Sequence, residues 1–157
     1  MTIDPALIER LRQSGIRIDR EGEFQHEGEP VRHEGLRRAL FRWLDRLPDG
    51  RYILRLDANR FAYVDADDTP LVARAARVAG ETILLALSDG SEEPLDPATL
   101  TIDAAGILRC RVRAGVLEAR LATSAVAALG DRLADGVDGP TLKVGNTRYS
   151  IAPRPAP

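Results

Sequence analysis

The chain has 157 residues, 44% of them apolar and 29% charged, which is the composition of one globular domain or of two tightly packed subdomains. Its net charge of -2 and its aromatic content of 4% argue against nucleic acid as a partner, because nucleic-acid binding needs a basic surface and stacking side chains. The longest apolar run, 83–87, is too short to cross a bilayer, and the N-terminus lacks the zones of a secretory signal. We therefore expect a cytoplasmic protein with no membrane partner.

The first predicted element is a short helix over 5–14. Asp4 and Pro5 suit its N-cap and first helical position, and Gly15 suits its end. The next residues read as extended chain, in which turns at Gly22 and Gly28 enclose a short strand.

The clearest helical pattern covers 36–47. Its leucines and Trp43 fall within an arc of about 100°, and Arg38, Arg42 and Arg46 lie opposite. Asp49-Gly50 ends this helix, and the alternation that follows predicts a hairpin.

The helix, the glycine turn and the closing hairpin recur about 88 residues further along the chain. This recurrence predicts an α+β fold with two repeated strand-helix-hairpin units (ββαββ-like), a central antiparallel hairpin between them and a short N-terminal helix. The predicted boundaries are 1–15 for the N-terminal helix, 16–68 for the first unit, 69–105 for the central hairpin and loop, 106–152 for the second unit and 153–157 for a disordered tail.

The hairpin that opens the second unit has a register set by its apolar residues. A two-residue Ala114-Gly115 loop places Val112 opposite Leu117 and Cys110 opposite Ala119, which gives one apolar face. A three-residue loop would instead place arginines opposite leucines.

The other face of that hairpin gathers four arginines around Glu118. Arg111 lies opposite Glu118, but Arg109 lies opposite Arg120, and facing like charges are destabilising unless they are neutralised. Two explanations stay open: carboxylates such as Glu92, Glu93 or Asp96 neutralise the surplus, or a small anion such as phosphate or a carboxylate binds there. The predicted anion-binding residues are Arg109, Arg111, Arg113 and Arg120.

The remaining candidate residues match no known catalytic or metal-binding motif. His26 and His33 are the only histidines, and their spacing favours a solvated strand pair over a metal site. The acidic run 65–68 lacks the glycine and the glutamate of a calcium loop. Cys110 cannot form an internal disulfide and points toward the core. No phosphate loop, nucleophile elbow or dinucleotide fingerprint occurs, so we predict no catalytic residue, no metal and no cofactor.

Five blocks in order resemble one bacterial family. They are Gly22-Glu23-Phe24, Gly28-Glu29-Pro30-Val31-Arg32, Asp49-Gly50-Arg51-Tyr52, Val64-Asp65 with Asp68-Thr69-Pro70-Leu71, and Val112-Arg113 with Leu117-Glu118-Ala119-Arg120-Leu121. This order is similar to that of the uncharacterised domain of unknown function twelve eighty-five (DUF1285), although Phe24 stands where that family commonly has tryptophan. The resemblance implies an α+β fold of repeated motifs, no established activity, no catalytic residues and a suggested part in signalling or ligand sensing.

These observations predict a non-enzymatic binding module that senses a small anionic ligand in signalling. Its predicted surface is the arginine face of the second hairpin with the loop 88–96. The alternative is a protein-interaction module that uses a free strand edge or the basic helix face at Arg38, Arg42 and Arg46. An enzyme of unrecognised type is the third interpretation, and the oligomeric state stays open.

Overall fold

The computed structural model of the protein describes residues 5, 6, 9 and 12–155. It divides into two compact units, one up to Pro70 and one from Leu71. Residues 5, 6 and 9 of the predicted N-terminal helix are helical, positions 7, 8, 10 and 11 lie outside the described residues, and a strand begins at Gln13. No helix in the described ranges is long and apolar enough to span a membrane.

The first unit is a mixed sheet with one helix. Its elements are β1 (Gln13–Ile18), β2 (Phe24–His26), β3 (Glu29–Pro30), α1 (Glu34–Trp43), β4 (Leu44–Arg46), β5 (Tyr52–Arg55) and β6 (Phe61–Ala66). The sheet has the order β3-β2-β1-β6-β5-β4, in which the β1–β6 pair is parallel and the other pairs are antiparallel. Its core includes Phe24 and Phe41, whose rings meet edge to face at 4.7 Å.

Helix α1 is shorter than the predicted helix over 36–47. It begins two residues earlier and ends at Trp43, where Leu44 adopts φ -57° and ψ 130°. Leu44 then pairs with Leu54 in the β4–β5 ladder. Sheet pairing therefore replaces the last helical turn that the leucine spacing predicted.

The second unit contains two sheets. Its elements are β7 (Leu71–Ala79), β8 (Thr82–Leu87), β9 (Glu92–Pro94), a 3-10 turn (Pro97–Thr99), β10 (Thr101–Ile102), β11 (Leu108–Val112), β12 (Leu117–Leu121), α2 (Thr123–Leu129), a 3-10 turn (Gly130–Arg132), β13 (Leu133–Gly136), β14 (Gly139–Val144), β15 (Thr147–Ser150) and β16 (Ala152–Pro153). Seven strands form a mixed sheet in the order β16-β10-β11-β12-β7-β8-β9, and β13-β14-β15 form an antiparallel sheet.

The predicted α+β fold of two ββαββ-like units is wrong. The elements bounded above are sixteen strands and two helices, so the described part of the chain is mostly β. Both α1 and α2 are followed by three antiparallel strands. In the first unit these strands belong to the six-stranded sheet, whereas in the second they form a sheet of their own.

The predicted central hairpin is also part of a larger sheet. Strands β7 and β8 pair around Gly80 as expected, but β7 pairs in parallel with β12, through Arg120 and Val72 among others. At the other end of the chain, β16 pairs in parallel with β10, and the Arg154 N–H donates to the carbonyl of Ile102 at 2.8 Å. This ladder reaches into the segment 153–157, whose residues 156 and 157 lie outside the described range.

Candidate functional sites

The arginine hairpin, β11 and β12 with the turn 113–116, has the predicted register. Arg109 lies opposite Arg120, and Arg111 lies opposite Glu118. Ala114 and Gly115 both have positive φ, 55° and 85°, as the central residues of a type I′ turn require. The apolar face is buried and includes Cys110, whose pKa burial raises to about 12, so the thiol is not an activated nucleophile.

Carboxylates from neighbouring segments neutralise two of the arginines. Arg109, only 6% exposed, donates to Asp103 at 2.8 Å. Asp103 also accepts the N–H groups of Ala105 and Ile107 at 2.9 and 3.0 Å. The hydrogen bond from Arg109 and these backbone donors lower the pKa of Asp103 to about 2.

Arg113 contacts the loop that follows β8. Its guanidinium donates to Asp89 at 2.7 Å, and its backbone N–H donates to Glu93 at 3.1 Å. Burial raises the pKa of Asp89, but hydrogen bonds from Ser91 and Arg113 outweigh this effect and hold it below its ordinary value. The structure thus brings together the arginine hairpin and the loop 88–96.

Arg111 differs from its neighbours. The carboxylate of Glu118, which faces it across the ladder, accepts a hydrogen bond from Arg154 at 2.7 Å. The Arg111 backbone N–H donates to Thr99 Oγ1 at 2.9 Å, and its half-buried guanidinium forms no ion pair with any residue in the described ranges. The guanidinium of Arg111 is thus without a carboxylate partner in the described part of the chain, unlike those of Arg109 and Arg113.

A second site, which we call the histidine cleft, lies in the first unit and was not predicted. It is a cavity of about 380 Å³ that combines an apolar floor with a polar rim. We call its apolar lining residues the floor, Ile16, Pro30, Val31, Leu36 and Leu40, and its polar lining residues the rim, His26, Glu29, Arg32 and His33.

Local structure places the rim residues. Glu27 and Gly28 have φ of 50° and 85° and form a two-residue turn that sets Glu29 opposite His26. His33 is the N-cap of α1, and its Nδ1 accepts the N–H of Leu36 at 3.0 Å. Since Nδ1 is an acceptor, the neutral ring carries its proton on Nε2 and presents a donor on the side away from the helix.

The charges of the cleft are not paired with each other. Neither Glu29 nor Arg32 forms an ion pair with a residue that the structure describes. Glu34, which begins the helix just after the cleft, is by contrast bound to Arg37 at 3.0 Å and to Arg38 at 3.4 Å. The cleft therefore offers one negative and one positive group to a ligand.

The remaining candidates are less suited to a ligand. A cavity of about 360 Å³ in the first unit is lined by Arg51 and Tyr63, but Arg51 is bound to Asp49 at 2.9 Å and Tyr63 donates to Glu9. In the acidic run, Asp67 lies 3.6 Å from Arg17. No group of three or more His, Cys, Asp or Glu side chains among the described residues could hold a metal ion.

The basic helix face lies on α1 and the strand that follows it. Arg38 and Arg42 are exposed, and Arg46 lies in β4 and is half-buried. The ion pair between Arg38 and Glu34 neutralises part of the positive charge of this face. Its role in binding a partner stays a prediction.

Comparison with known proteins identifies the fold. No family model and no curated protein matches the chain. A solved structure from Silicibacter pomeroyi matches with a TM-score of 0.75 and 21% identity over 90% of this chain and 81% of that chain. One from Shewanella baltica matches with a TM-score of 0.60 and 16% identity over 72% of this chain and 87% of that chain.

These similarities show that the chain has the fold of a group of uncharacterised bacterial proteins. Both structures are described as DUF1285 family proteins, and this chain has the DUF1285 fold. The resemblance predicted from the sequence blocks is thereby confirmed at the level of the fold. The function of those proteins is unknown.

Proposed function

We propose that this protein is a non-enzymatic binding module for a small molecule and that the histidine cleft is its binding site. The observation that carries the proposal is the meeting of an apolar floor with four polar side chains in one cavity of about 380 Å³. Cavities that bind small ligands are mostly apolar, measure about 300 to 1,000 Å³ and contain a few polar groups that orient the ligand.

The division of roles within the cleft follows from its chemistry. Binding becomes more favourable when a ligand displaces water from Leu36, which is 44% exposed, and from its apolar neighbours in the floor. The rim adds direction, because the histidine and arginine side chains donate and Glu29 accepts. The residues that line the cleft include no serine, threonine, cysteine or lysine that a neighbouring base could activate as a nucleophile, which favours binding over catalysis.

A substitution of Leu36 tests the proposal. We expect Leu36→Gln to weaken the binding of an apolar small molecule at least about tenfold, because it makes the floor polar while keeping a good helix former. Ligands are found by a thermal-shift screen, located by amide chemical shifts of the cleft residues, and measured by calorimetry.

Leu56→Gln is the matched control. Leu56 is 47% exposed in the same unit and does not line the cleft. Equal losses in the two variants, or a screen in which no compound shifts the cleft resonances, would refute the proposed function.

The arginine hairpin is our second candidate, as a site for a small anion, because Arg111 is half-buried and its facing carboxylate is engaged by Arg154. We expect inorganic phosphate to raise the melting temperature, and Arg111→Gln to abolish this rise. Arg132→Gln, at an exposed position of the same unit, should keep it. An equal response to phosphate and to chloride of the same ionic strength would rule out this candidate.

A further inference from the structure

We propose that the ligand of the histidine cleft is a zwitterionic α-amino acid with an apolar side chain. This inference rests on the proposed function and specifies its ligand. Arg32 and His33 would bind the carboxylate, Glu29 would bind the ammonium group, and the floor would hold the side chain.

The histidine cleft holds two opposite charges in one small cavity. Glu29 and Arg32 both line the cleft, and neither has an ion pair with another residue in the described part of the chain. They are three residues apart, so their Cα atoms are separated by at most about 10 Å. Two side chains at this separation can reach the two charged groups that an α-amino acid carries on one carbon.

The rim of the cleft has a polarity, with its positive side at the start of α1 and its negative side at Glu29. Arg32 and His33 immediately precede α1, which has ten residues. The N-terminus of a helix is the positive end of its dipole, so the start of α1 adds partial positive charge beside these two residues. The Nε2–H of His33 adds a donor there, since its Nδ1 already accepts the Leu36 N–H. A carboxylate is therefore favoured at the helix start, and an ammonium group is favoured at Glu29 in β3.

A ligand with a single charge would leave one charged group of the cleft without a partner. A simple carboxylate would cover Glu29 without pairing it, and a simple amine would do the same to Arg32. Covering a charge without a partner costs binding free energy. Inorganic phosphate is disfavoured because its negative charge would lie near the carboxylate of Glu29.

Four compounds with the same branched alkyl group separate the contributions. They are L-leucine, 4-methylpentanoate, 3-methylbutylamine and 4-methylpentan-1-ol, titrated into the 157-residue protein and followed by calorimetry and by amide chemical shifts. We expect leucine to bind at least about tenfold more tightly than each of the other three, the factor that about 1.4 kcal/mol represents.

Variants assign the two charges. Glu29→Gln should weaken leucine binding at least about tenfold and leave 4-methylpentanoate unaffected or improved, whereas Arg32→Gln should weaken leucine and spare 3-methylbutylamine. Glu27→Gln and Arg42→Gln are the matched controls, because neither residue lines the cleft. His33→Ser keeps a good N-cap and removes the imidazole with its Nε2–H donor, so it should weaken leucine binding at an unchanged melting temperature.

The outcomes distinguish this inference from the proposed function. If the alcohol or either singly charged compound binds in the cleft as tightly as leucine, the zwitterion is wrong and the cleft remains a binding site. If no compound of this panel or of the wider screen shifts the cleft resonances, both proposals fail. If leucine binds but Glu29→Gln behaves like Glu27→Gln, the role of Glu29 is refuted and with it the zwitterion.

Discussion

Replacing Phe24 by alanine is expected to lower the free energy of unfolding by about 3 to 5 kcal/mol, the largest effect we expect from a single substitution. Phe24 is 1% exposed, and its ring meets that of Phe41 edge to face at 4.7 Å. The change removes the buried ring, leaves a cavity beneath α1 and loses the aromatic pair. Urea denaturation followed by the fluorescence of Trp43, the single tryptophan, measures the loss.

Phe61→Ala is the control for this prediction, since Phe61 is a half-buried phenylalanine of the same unit. It should cost less than half as much, because less apolar surface leaves the core. A loss below about 1 kcal/mol for Phe24→Ala would mean that the Phe24 and Phe41 rings do not pack in a rigid core.

Phe24 also positions the histidine cleft. Its carbonyl accepts the N–H of Val31 at 2.9 Å, and β2 carries His26 two residues further on. The cleft is thus built on a strand whose inward side chain belongs to the core. Any ligand that binds there should therefore oppose the unfolding of the first unit.

The arginine hairpin shows which features the sequence can predict. Its register follows from strict alternation on both sides of one short turn, because a slip by one residue would place arginines opposite leucines on the same face, and the observed pairs are the predicted ones. The carboxylate partners of Arg109 and Arg113 were harder to predict from the sequence. Glu93 was among the predicted carboxylates, whereas Asp103 and Asp89 were not, because tertiary structure decides which carboxylates come within reach.

Pairing between distant strands explains the error in fold class. The parallel pairs β1–β6, β7–β12 and β10–β16 join segments that no local pattern connects. Hydrophobic periodicity indicates that a strand exists but does not name its partner. The recurring helix, glycine turn and hairpin were therefore interpreted as part of a repeating unit, although the strands that follow the two helices belong to different sheets.

The histidine cleft was missed for a similar reason. His26 and His33 were interpreted as a solvated strand pair, since their spacing fits no metal site. The signal that could have brought them together was the Glu27-Gly28 turn, which folds β3 back beside β2. The second signal, the start of α1 at Glu34, was hidden because histidine is not among the preferred N-cap residues.

The second large effect is expected at Arg109. Arg109→Ala should lower the free energy of unfolding by about 2 kcal/mol, because it removes a buried guanidinium, 6% exposed, together with its charge-assisted hydrogen bond to Asp103. Chemical denaturation at pH 7 measures the change. Arg132→Ala, at an exposed position of the same unit, should leave stability unchanged within about 0.5 kcal/mol.

The pH dependence of the same ion pair gives an independent check. The folded pKa of Asp103, about 2, lies below the ordinary value of 3.8, so the stabilisation is complete above pH 3.8 and is lost as the pH falls through 2. The difference in the free energy of unfolding between the wild type and Asp103→Asn should therefore be constant near neutrality and shrink below pH 4.

Arg120, which faces Arg109 across the ladder, gives rise to the opposite expectation. If its repulsion of Arg109 outweighed the bond to Asp103, Arg109→Ala would stabilise the protein, most of all at low ionic strength. A gain in stability at low salt would thus overturn the assignment of Asp103 as the partner that makes this hairpin stable.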